Sequence, residues 1–479
     1  MKLVHTDMSW VATAQQEPST MHAALLSFVL ALVLATIAAR PAAAEQVLGL
    51  YVFHRHGDRT AQARQPVSLT PLGLRQVVSS GAFYRGRYVA ADAPRRIRGF
   101  SSDEAVWTQL GATSSLDPVA QKSVFGFLQG LYPPVNAAVA ISANGTRVAV
   151  PLLGYQYVPI NAPEDGVMAD KAEHIRWRLA RDGCANAEAS SLDFYRSLSP
   201  FLNGSVPRDK ANYNHSYPIY DVVNAASTHS SLLAPKELLT RATLDRLFAL
   251  ASTHEWNLAY NTSEPIRSIA GAVLAGKIMK ALEAIIMGCP DAPRFHVDFG
   301  DYDVFMAFFG LAALPRASLR FYGICDYASS MAFELVTNAT QLSAEHIGVR
   351  FYVSNGTAVE EDLTMYPLFG QDTQTLPWLV FKAGMSEFAV QDAEHWCQVC
   401  GNTGTECVTA GSGGTEAPSE PCEINGGISN GLAGAIGVIV ALVVLLCLEA
   451  AVMLIGGLCL VKKPIFASTA ADMVSWVKI

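Results

Sequence analysis

A long apolar run close to the C-terminus limits most strongly how this 479-residue chain can be arranged. Residues 431–461 are long enough to cross a bilayer as a helix, and two lysines follow them directly. We therefore predict one C-terminal transmembrane segment, residues 432–461, and a cytoplasmic tail, residues 462–479. Glu449 interrupts the run; we expect it near the interface, and the alternative is a functional carboxylate inside the membrane.

A second apolar run lies near the N-terminus. Residues 23–39 contain no charged side chain, and small residues ending at Ala44 follow. This order predicts a signal peptide, residues 1–44, that is cleaved before Glu45. Because the usual basic segment is missing ahead of the run, Met21 is a second candidate for the start of translation.

Sequons and cysteines between the two runs indicate an oxidising compartment. Most of the nine cysteines lie there, and disulfides are expected. Cys397 and Cys400 have the spacing of a redox or zinc motif, but no second pair accompanies them, so disulfides are the favoured interpretation. Six N-x-S/T sequons occur in the same region, at Asn144, Asn203, Asn214, Asn261, Asn338 and Asn355.

Composition separates a folded region from a linker and excludes one class of partner. Residues 401–431 are rich in Gly, Ser, Thr and Pro, which indicates a stalk between a folded domain and the membrane. The net charge is −8 and no block of Lys or Arg occurs. Nucleic acid is therefore not an expected partner.

An α/β fold is predicted from the order of patterns in the folded region. Residues 47–53 are the apolar, β-branched run typical of a strand buried on both faces. A charged segment follows, and a helix is then predicted from Pro71 with Thr70 as its N-cap. Residues 294–314 repeat the order of strand, polar turn and helix. We expect a mainly parallel sheet flanked by helices, with ligands at the carboxyl ends of the strands.

The domain boundaries follow from the same patterns. The α/β domain is predicted to comprise residues 45–148 and 287–400. The intervening residues 149–286 have helix-like patterns and several sequons. We interpret them as a smaller helical cap inserted into the sheet domain.

The charged segment after the first strand suits the binding of a phosphate group. Arg55 and Arg59 flank His56, and guanidinium groups bind phosphate oxygens through paired N–H donors. A neutral imidazole nitrogen could then attack phosphorus, provided that an acid protonates the leaving alkoxide. The alternative from composition alone is a loop of exposed charges.

Residues 55–60 read R-H-G-D-R-T and resemble the R-H-G-x-R-x signature of the histidine acid phosphatases, which include phytases. The resemblance continues through residues 69–76, 127–134, 297–311 and 327–329, and so covers nearly all of the predicted ectodomain. With the signal peptide, the sequons and the membrane segment, the chain is most similar to type I membrane-bound acid phosphatases of protozoan endosomes and lysosomes.

The resemblance implies a histidine-phosphatase-like fold and a mechanism. His56 would be the nucleophile and would form a phosphohistidine intermediate, Arg55 and Arg59 would hold the phosphate, and Asp301 would supply the proton. It implies no metal and no other cofactor. A phosphomonoester would be the substrate, and a homodimer is one conceivable assembly.

Two positions depart from the family pattern. The family's distal His-Asp pair reads Gly300-Asp301 here, and Val106 stands in residues 101–108 where the family has a third phosphate-binding arginine. Arg98 is a candidate replacement from the strand end. Each lost donor could weaken transition-state stabilisation by about 2 to 4 kcal/mol.

Alternatives remain for the distal acid. His296 and Asp298 could form a His-x-Asp pair on one face of a strand, although this shifts the register of the match. Asp301 could be only the N-cap of the helix that follows it, or could serve both purposes.

Two disulfides are also expected. The resemblance pairs Cys184 with Cys397 or Cys400. A local bond between Cys289 and Cys325 would replace one that the family forms near residues 327–329.

These observations predict a weak acid phosphomonoesterase, a histidine acid phosphatase. The alternative is an inactive pseudophosphatase, a membrane glycoprotein that serves ligand binding or trafficking. In either case we expect a type I membrane protein with its ectodomain in the endosomal and lysosomal lumen or at the cell surface.

Overall fold

A computed structural model describes residues 44–135, 139–161, 185–202, 204–229, 240–340, 342–358, 363–401 and 407. The predicted signal run, membrane segment and tail, with Glu449 and Cys184, lie outside the described residues. Among the residues that are described, no helix is long and apolar enough to span a membrane.

A seven-stranded sheet forms the centre of the fold, in the order β2-β5-β1-β6-β7-β8 with β9 also paired to β7, and β3 and β4 form a separate hairpin. The strands are β1 (Gln46–Arg55), β2 (Leu110–Ser114), β3 (Val139–Ile141), β4 (Arg147–Ala149), β5 (Phe295–Gly300), β6 (Ser330–Thr337), β7 (Ile347–Ser354), β8 (Thr364–Tyr366) and β9 (Thr375–Pro377). The first predicted strand is confirmed as β1, which is buried from Val47 onward.

The sheet is mixed rather than mainly parallel, which corrects the prediction. β1, β2 and β5 run parallel to one another, whereas β6 is antiparallel to both β1 and β7. Residues 338–346 join β6 to β7, and so short a connection permits only an antiparallel hairpin. The parallel half, which needs long crossovers, is the half that carries the repeated order of strand, polar turn and helix seen in the sequence.

The helices cover both faces of the sheet and form a further group beside it. The longer helices are α1 (Pro71–Tyr84), α2 (Pro118–Leu131), α3 (Ala185–Ser197), α4 (Ser216–His229), α5 (Arg241–Ala259), α6 (Ile269–Met287), α7 (Tyr302–Leu311), α8 (Trp378–Ser386) and α9 (Ala393–Cys400). The predicted start of α1 is confirmed, because the Thr70 hydroxyl accepts the backbone N–H of Gly73 and Pro71 occupies the first turn.

Alternation along β1 divides the core into two layers. Tyr51 and Phe53 face the cluster that contains α6, α7 and α8. Leu50 and Val52 face the opposite cluster, which contains α1 and α2. Side chains of α3, α4 and the start of α5 form a smaller core of their own. Ala61 belongs to this core and lies in residues 55–62 at the end of β1, called the charged loop from here on.

The disulfides differ from both expectations. Cys397 is bonded to Cys407, so it does not pair with Cys184. Cys289 is a disulfide cysteine, whereas Cys325 is a buried free thiol, so the predicted bond between them is wrong. Cys325 lies under the charged loop, where its backbone carbonyl is used by Arg55. Spacing in the sequence could not reveal that role.

Candidate active site

Parallel strands bring the charged loop and the distal motif to one edge of the sheet. Arg55 at the end of β1 lies opposite Gly300 at the end of β5. The end of β2 is level with them, because Ser114 pairs with Phe299. The carboxyl ends of three strands therefore meet where the sequence predicted a ligand site.

His56 is 4 % exposed, and its ring is held by a backbone contact. Its Nδ1 lies 2.8 Å from the carbonyl oxygen of Gly57. A carbonyl oxygen can only accept, so Nδ1 carries a hydrogen and, in the neutral ring, Nε2 carries a lone pair. That Nε2 lies 3.5 Å from Oδ1 of Asp301. The ring thus presents its nucleophilic nitrogen toward the carboxyl group.

Asp301 has both of the roles considered from the sequence. Its Oδ1 accepts the backbone N–H of Tyr302 at 2.7 Å and caps α7, and the same oxygen faces His56. Burial raises the pKa of Asp301, but the contact with His56 in its protonated form and the charges of Arg55 and Arg59 outweigh it and hold the pKa well below its usual range. The side chain is 39 % exposed, so water screens part of this field.

Arg55 is a buried cation whose Nε–H is left for a ligand. Its Nη1 donates to the carbonyl of Cys325, and its Nη2 lies 3.4 Å from the hydroxyl of Tyr217. Its Nε is buried and has no hydrogen-bond partner among the described residues, and it lies 3.7 Å from Oδ1 of Asp301. An unsatisfied buried donor beside the nucleophile is the arrangement that an incoming phosphate oxygen would complete.

Arg59 is held far more tightly. Its Nη1 donates to both carboxylate oxygens of Asp221, at 3.1 and 3.2 Å, and to the carbonyl of Thr60 at 3.0 Å. Its Nη2 donates to the hydroxyl of Tyr217 at 3.0 Å. Tyr217 therefore accepts hydrogen bonds from both arginines and fixes the distance between them.

Aromatic rings surround these groups. The guanidinium of Arg55 lies 4.4 Å from the ring centroid of Tyr327 and 5.1 Å from that of Tyr302. The Tyr327 ring is also 5.5 Å from the imidazole of His56, and its hydroxyl donates to Asp221 at 3.2 Å. Rings at these distances exclude water from the cations and add cation–π attraction.

Helix α4 supplies partners that the sequence did not reveal. Tyr217, Asp221 and His229 are spaced four and eight residues apart and so share one face of the helix. His229 donates from Nε2 to Asp58 at 2.7 Å, and the Thr70 hydroxyl also donates to that carboxylate. Both flanks of the charged loop are thus held by α4. The helix carries other polar residues as well, so the sequence contains no distinct signal for these three.

The missing histidine at position 300 has a structural reason. A Cβ atom placed on Gly300 would lie 2.5 Å from Cζ of Phe53. Phe53 in turn packs on Phe305 of α7, with ring centroids 4.9 Å apart. Any side chain at position 300 therefore requires Phe53 to move.

The proposed counterparts of the third arginine do not line the site. Val106 accepts from the backbone N–H of Gln109 just before β2 begins, at the edge opposite Ser114. The backbone N–H of Arg98 donates to the carbonyl of Val47 at the start of β1. The strand places Val47 roughly 25 Å from Arg55 at its other end. Both expectations are corrected. Residues 115–117 reach the site edge instead, and they contain no arginine.

The alternative His-x-Asp pair also lies elsewhere. His296 is stacked on Tyr51, with ring centroids 5.7 Å apart. Asp298 accepts from the hydroxyl of Tyr51 and from Nζ of Lys277 on α6, each at 3.3 Å. Both side chains face α6, so this alternative is wrong. Within the described parts of the chain, no group of three or more His, Cys, Asp or Glu side chains is placed to hold a metal ion.

A scan against protein-family models and a search of curated proteins find no match to this chain. Solved structures that resemble it include the phytase of Hafnia alvei in its apo form, with 14 % identity and a TM-score of 0.49 over 74 % of this chain and 98 % of that one. The phytase of Citrobacter braakii has 10 % identity and a TM-score of 0.49, covering 73 % and 99 %. The multiple inositol polyphosphate phosphatase of Bifidobacterium longum with phosphate has 13 % identity and a TM-score of 0.44, covering 75 % and 97 %. A likeness at this level assigns no function, which has to come from the geometry of the site.

Proposed function

We propose that this protein is an acid phosphomonoesterase that acts through a phosphohistidine intermediate. One observation carries the proposal. The unprotonated Nε2 of His56 faces the Asp301 carboxyl group at 3.5 Å, beside the unsatisfied Nε donor of Arg55. A nucleophile, an acid and an anion-binding donor thus converge at the carboxyl ends of parallel strands.

The first step transfers the phosphoryl group to the protein. Nε2 of His56 attacks phosphorus, and the N–P bond forms as the bond from phosphorus to the leaving oxygen breaks. Asp301 gives its proton to that oxygen, so an alcohol leaves rather than an alkoxide. Donors of Arg55 and Arg59 stabilise the charge on the phosphoryl oxygens throughout.

The second step regenerates the site. Water attacks phosphorus, the N–P bond breaks, and the carboxylate of Asp301 accepts the proton that the water releases. Inorganic phosphate then leaves, and Nε2 of His56 regains its lone pair. The same carboxyl group therefore acts first as acid and then as base, which requires no other titrating group.

The charge of the resting site explains why the reaction requires acidic conditions. Asp301 is ionised there because His56, while its Nε2 is protonated, and the two arginines hold its pKa low against the effect of burial. It must gain a proton before it can act as the acid. A bound phosphate offsets the arginine charges and raises the pKa of Asp301, and a singly charged phosphomonoester brings a proton with it.

The direct test is hydrolysis of a chromogenic aryl phosphate by the full chain in detergent, across mildly acidic pH, beside His56→Ala. We expect activity in the wild type and none above background in the variant. After rapid denaturation in alkali, radiolabelled phosphate should remain on the wild type but not on the variant. Equal activity in both proteins would exclude His56 as the nucleophile.

A second candidate is an inactive pseudophosphatase that binds phosphate-bearing ligands. The residues at position 300 and at positions 115–117 favour it, because they lack the donors expected there. Phe53 fills the space of a distal histidine, and residues 115–117, which reach the edge beside β2, contain no arginine. Two missing donors, at about 2 to 4 kcal/mol each, are enough to leave little activity. Phosphate binding without turnover in the assay above would support this candidate.

The location of the protein is part of the proposal. Asn144 and Asn338 are exposed, so the sequons at these positions are open to glycan attachment. This supports a type I arrangement with the site in a lumen or outside the cell, as expected for the endosomal and lysosomal system. Mobility shifts after enzymatic deglycosylation of the purified protein test it.

A further inference from the structure

The charge of Arg59 is already balanced before any substrate binds. Arg59 and Asp221 are paired through two contacts of 3.1 and 3.2 Å, and their side chains are only 3 % and 2 % exposed. Both partners of such a buried pair stay ionised, because removing either charge leaves the other uncompensated. Arg59 can therefore provide hydrogen-bond donors in a fixed position for a phosphate, but it adds little net positive charge to the pocket.

The charges of the whole pocket can be added in the same way. Arg55 and Arg59 contribute two positive charges, and Asp221 and Asp301 contribute two negative ones. His56 is neutral when Nε2 carries its lone pair. A further carboxyl group, Asp326, lies in the field of Arg55, and burial raises its pKa, which favours its neutral form in acid. With Asp326 protonated, the pocket has no net charge when Asp301 is ionised and one positive charge when Asp301 is protonated; an ionised Asp326 lowers both totals by one and disfavours a doubly charged ligand further.

This count selects the form of the substrate. A phosphomonoester carries two negative charges above a pKa of about 6 and one below it. Only the singly charged form gives a neutral complex with protonated Asp301. The doubly charged form leaves one unbalanced negative charge among buried rings, where charge is costly. Without the charge of Asp221, the doubly charged form would give the neutral complex instead.

We propose that Asp221 is a positioning residue that lowers the charge of the phosphate pocket by one unit and makes singly charged phosphomonoesters the preferred ligands. The inference rests on the proposed function for its catalytic part, but it concerns anion binding and can be tested without turnover. Asp221 acts through Arg59 and does not itself face the phosphate.

The groups that contact Asp221 directly do not titrate in the acid range. Arg59 and the backbone N–H of Gln62 face it from the charged loop, and Tyr327 faces it from the loop before β6. Tyr217 and Tyr220 face it from its own helix. Burial raises the pKa of all three tyrosines, that of Tyr220 to about 12, so they stay neutral. The pH dependence then does not arise from the direct contacts of Asp221, and the phosphate, Asp301 and Asp326 are the groups to consider.

The first test is the pH profile of kcat/KM for the full chain with an aryl phosphate. Asp221→Asn removes the charge and keeps the shape, whereas Asp221→Glu keeps the charge and changes the length. We expect the alkaline limb of Asp221→Asn to move up by about one pH unit, a gain of about tenfold at a fixed pH on that limb. Asp221→Glu should keep the wild-type limb at lower activity.

The matched control for this test is Asp245→Asn, an exposed residue paired with Arg241 on α5, which makes the same change in total charge far from the pocket. Its limb should not move. A limb of Asp221→Asn that coincides with the wild type, or an equal shift in Asp245→Asn, would overturn the proposal. A limb that moves with Asp221→Glu as well would show that geometry rather than charge is responsible.

The second test is anion binding by the wild-type full chain at about pH 5, where inorganic phosphate is singly charged and sulfate doubly charged. Calorimetry should show that the wild type binds phosphate at least about tenfold more tightly than sulfate. In Asp221→Asn the ratio of the two dissociation constants should be smaller. Sulfate binding as tight as phosphate in the wild type would overturn the proposal, even if Asp221→Asn fails to fold. A phosphate preference without hydrolysis would exclude only the proposed enzyme activity.

Discussion

At the scale of single residues, Asp301 shows how one side chain can stabilise a helix and serve a reaction. Its Oδ1 caps α7 through Tyr302 and faces Nε2 of His56. A cap needs only a hydrogen-bond acceptor, whereas an acid needs a proton that can be transferred. Substitutions that keep one property and remove the other can therefore separate the two roles.

We expect Asp301→Asn and Asp301→Ala both to lose kcat, by about 100-fold, because neither supplies a proton. They should differ in stability, since asparagine caps a helix as well as aspartate does. Asp301→Ala should have a free energy of unfolding about 1 kcal/mol below that of Asp301→Asn. Steady-state kinetics and denaturant unfolding measure the two effects.

The leaving group provides the control for this prediction. An alkyl phosphate needs a proton more than an aryl phosphate does, so Asp301→Asn should lose more activity with the alkyl substrate. Equal losses with both substrates would show that Asp301 supports binding rather than proton transfer.

The residues of the charged loop could be predicted from the sequence, but their partners could not. His56, Arg55 and Arg59 form a continuous motif, and Asp301 follows from its position before a helix. Asp221 pairs with Arg59 across 162 residues, and no local pattern encodes that contact. Position 300 is similar, because the ring that excludes a side chain there comes from another strand.

At the scale of secondary structure elements, α4 is the element that organises the site. The hydroxyl of Tyr217, on this helix, accepts hydrogen bonds from Nη2 of Arg59 at 3.0 Å and from Nη2 of Arg55 at 3.4 Å. Because both arginines are buried, loss of this acceptor leaves donors without a partner. The helix therefore sets the spacing of the two guanidinium groups.

We expect Tyr217→Phe to raise KM for an aryl phosphate by about tenfold and to lower the free energy of unfolding by about 1 to 3 kcal/mol. Tyr220→Phe is the control, because Tyr220 lies on the same helix with its ring 5.5 Å from that of Phe248. Kinetics and thermal unfolding of the two variants test this. An unchanged KM in Tyr217→Phe would mean that the arginines are positioned without α4.

Elements with a local signal were predicted well. The strand of residues 47–53 and the helix beginning at Pro71 are both present, because a buried apolar run and an N-cap followed by proline are encoded locally. The direction of β6 and β7 was not predicted, since it depends on which edge of the sheet they join. The disulfide from Cys397 to Cys407 was missed for the same reason, because spacing alone leaves cysteine pairing open.

At the scale of the whole molecule, two buried histidines lower the stability of the fold in acid, where the proposed enzyme would have to remain folded. His54 lies between Phe127 and Phe299, at ring distances of 5.4 and 4.7 Å, and His296 is stacked on Tyr51. Nε2 of each histidine is buried without a hydrogen-bond partner among the described residues. Burial lowers the pKa of both to about 4, so both are neutral in the folded protein at moderately acidic pH.

The sign of the effect on stability follows from linkage. Above about pH 6.5 these histidines are neutral in both the folded and unfolded states, and stability does not depend on them. Between pH 6.5 and 4 only the unfolded chain binds the protons, so the free energy of unfolding falls, by about 3 kcal/mol for each histidine. Below pH 4 both states are protonated and the loss is complete.

We expect His54→Phe to remove half of this loss. Its ring can occupy the same aromatic slot, although the 2.6 Å contact of Nδ1 with the carbonyl of Arg55 is lost, so the variant is less stable at neutral pH. The informative quantity is the change in free energy of unfolding between about pH 7 and pH 4.5, which should be smaller in His54→Phe than in the wild type by about 2 kcal/mol. His395→Gln, at an exposed position on α9, should leave the change as it is. Equal pH dependence in wild type and His54→Phe would show that His54 is already protonated in the folded state, and the limit on acid stability would then lie with His296 and the carboxylates of the site.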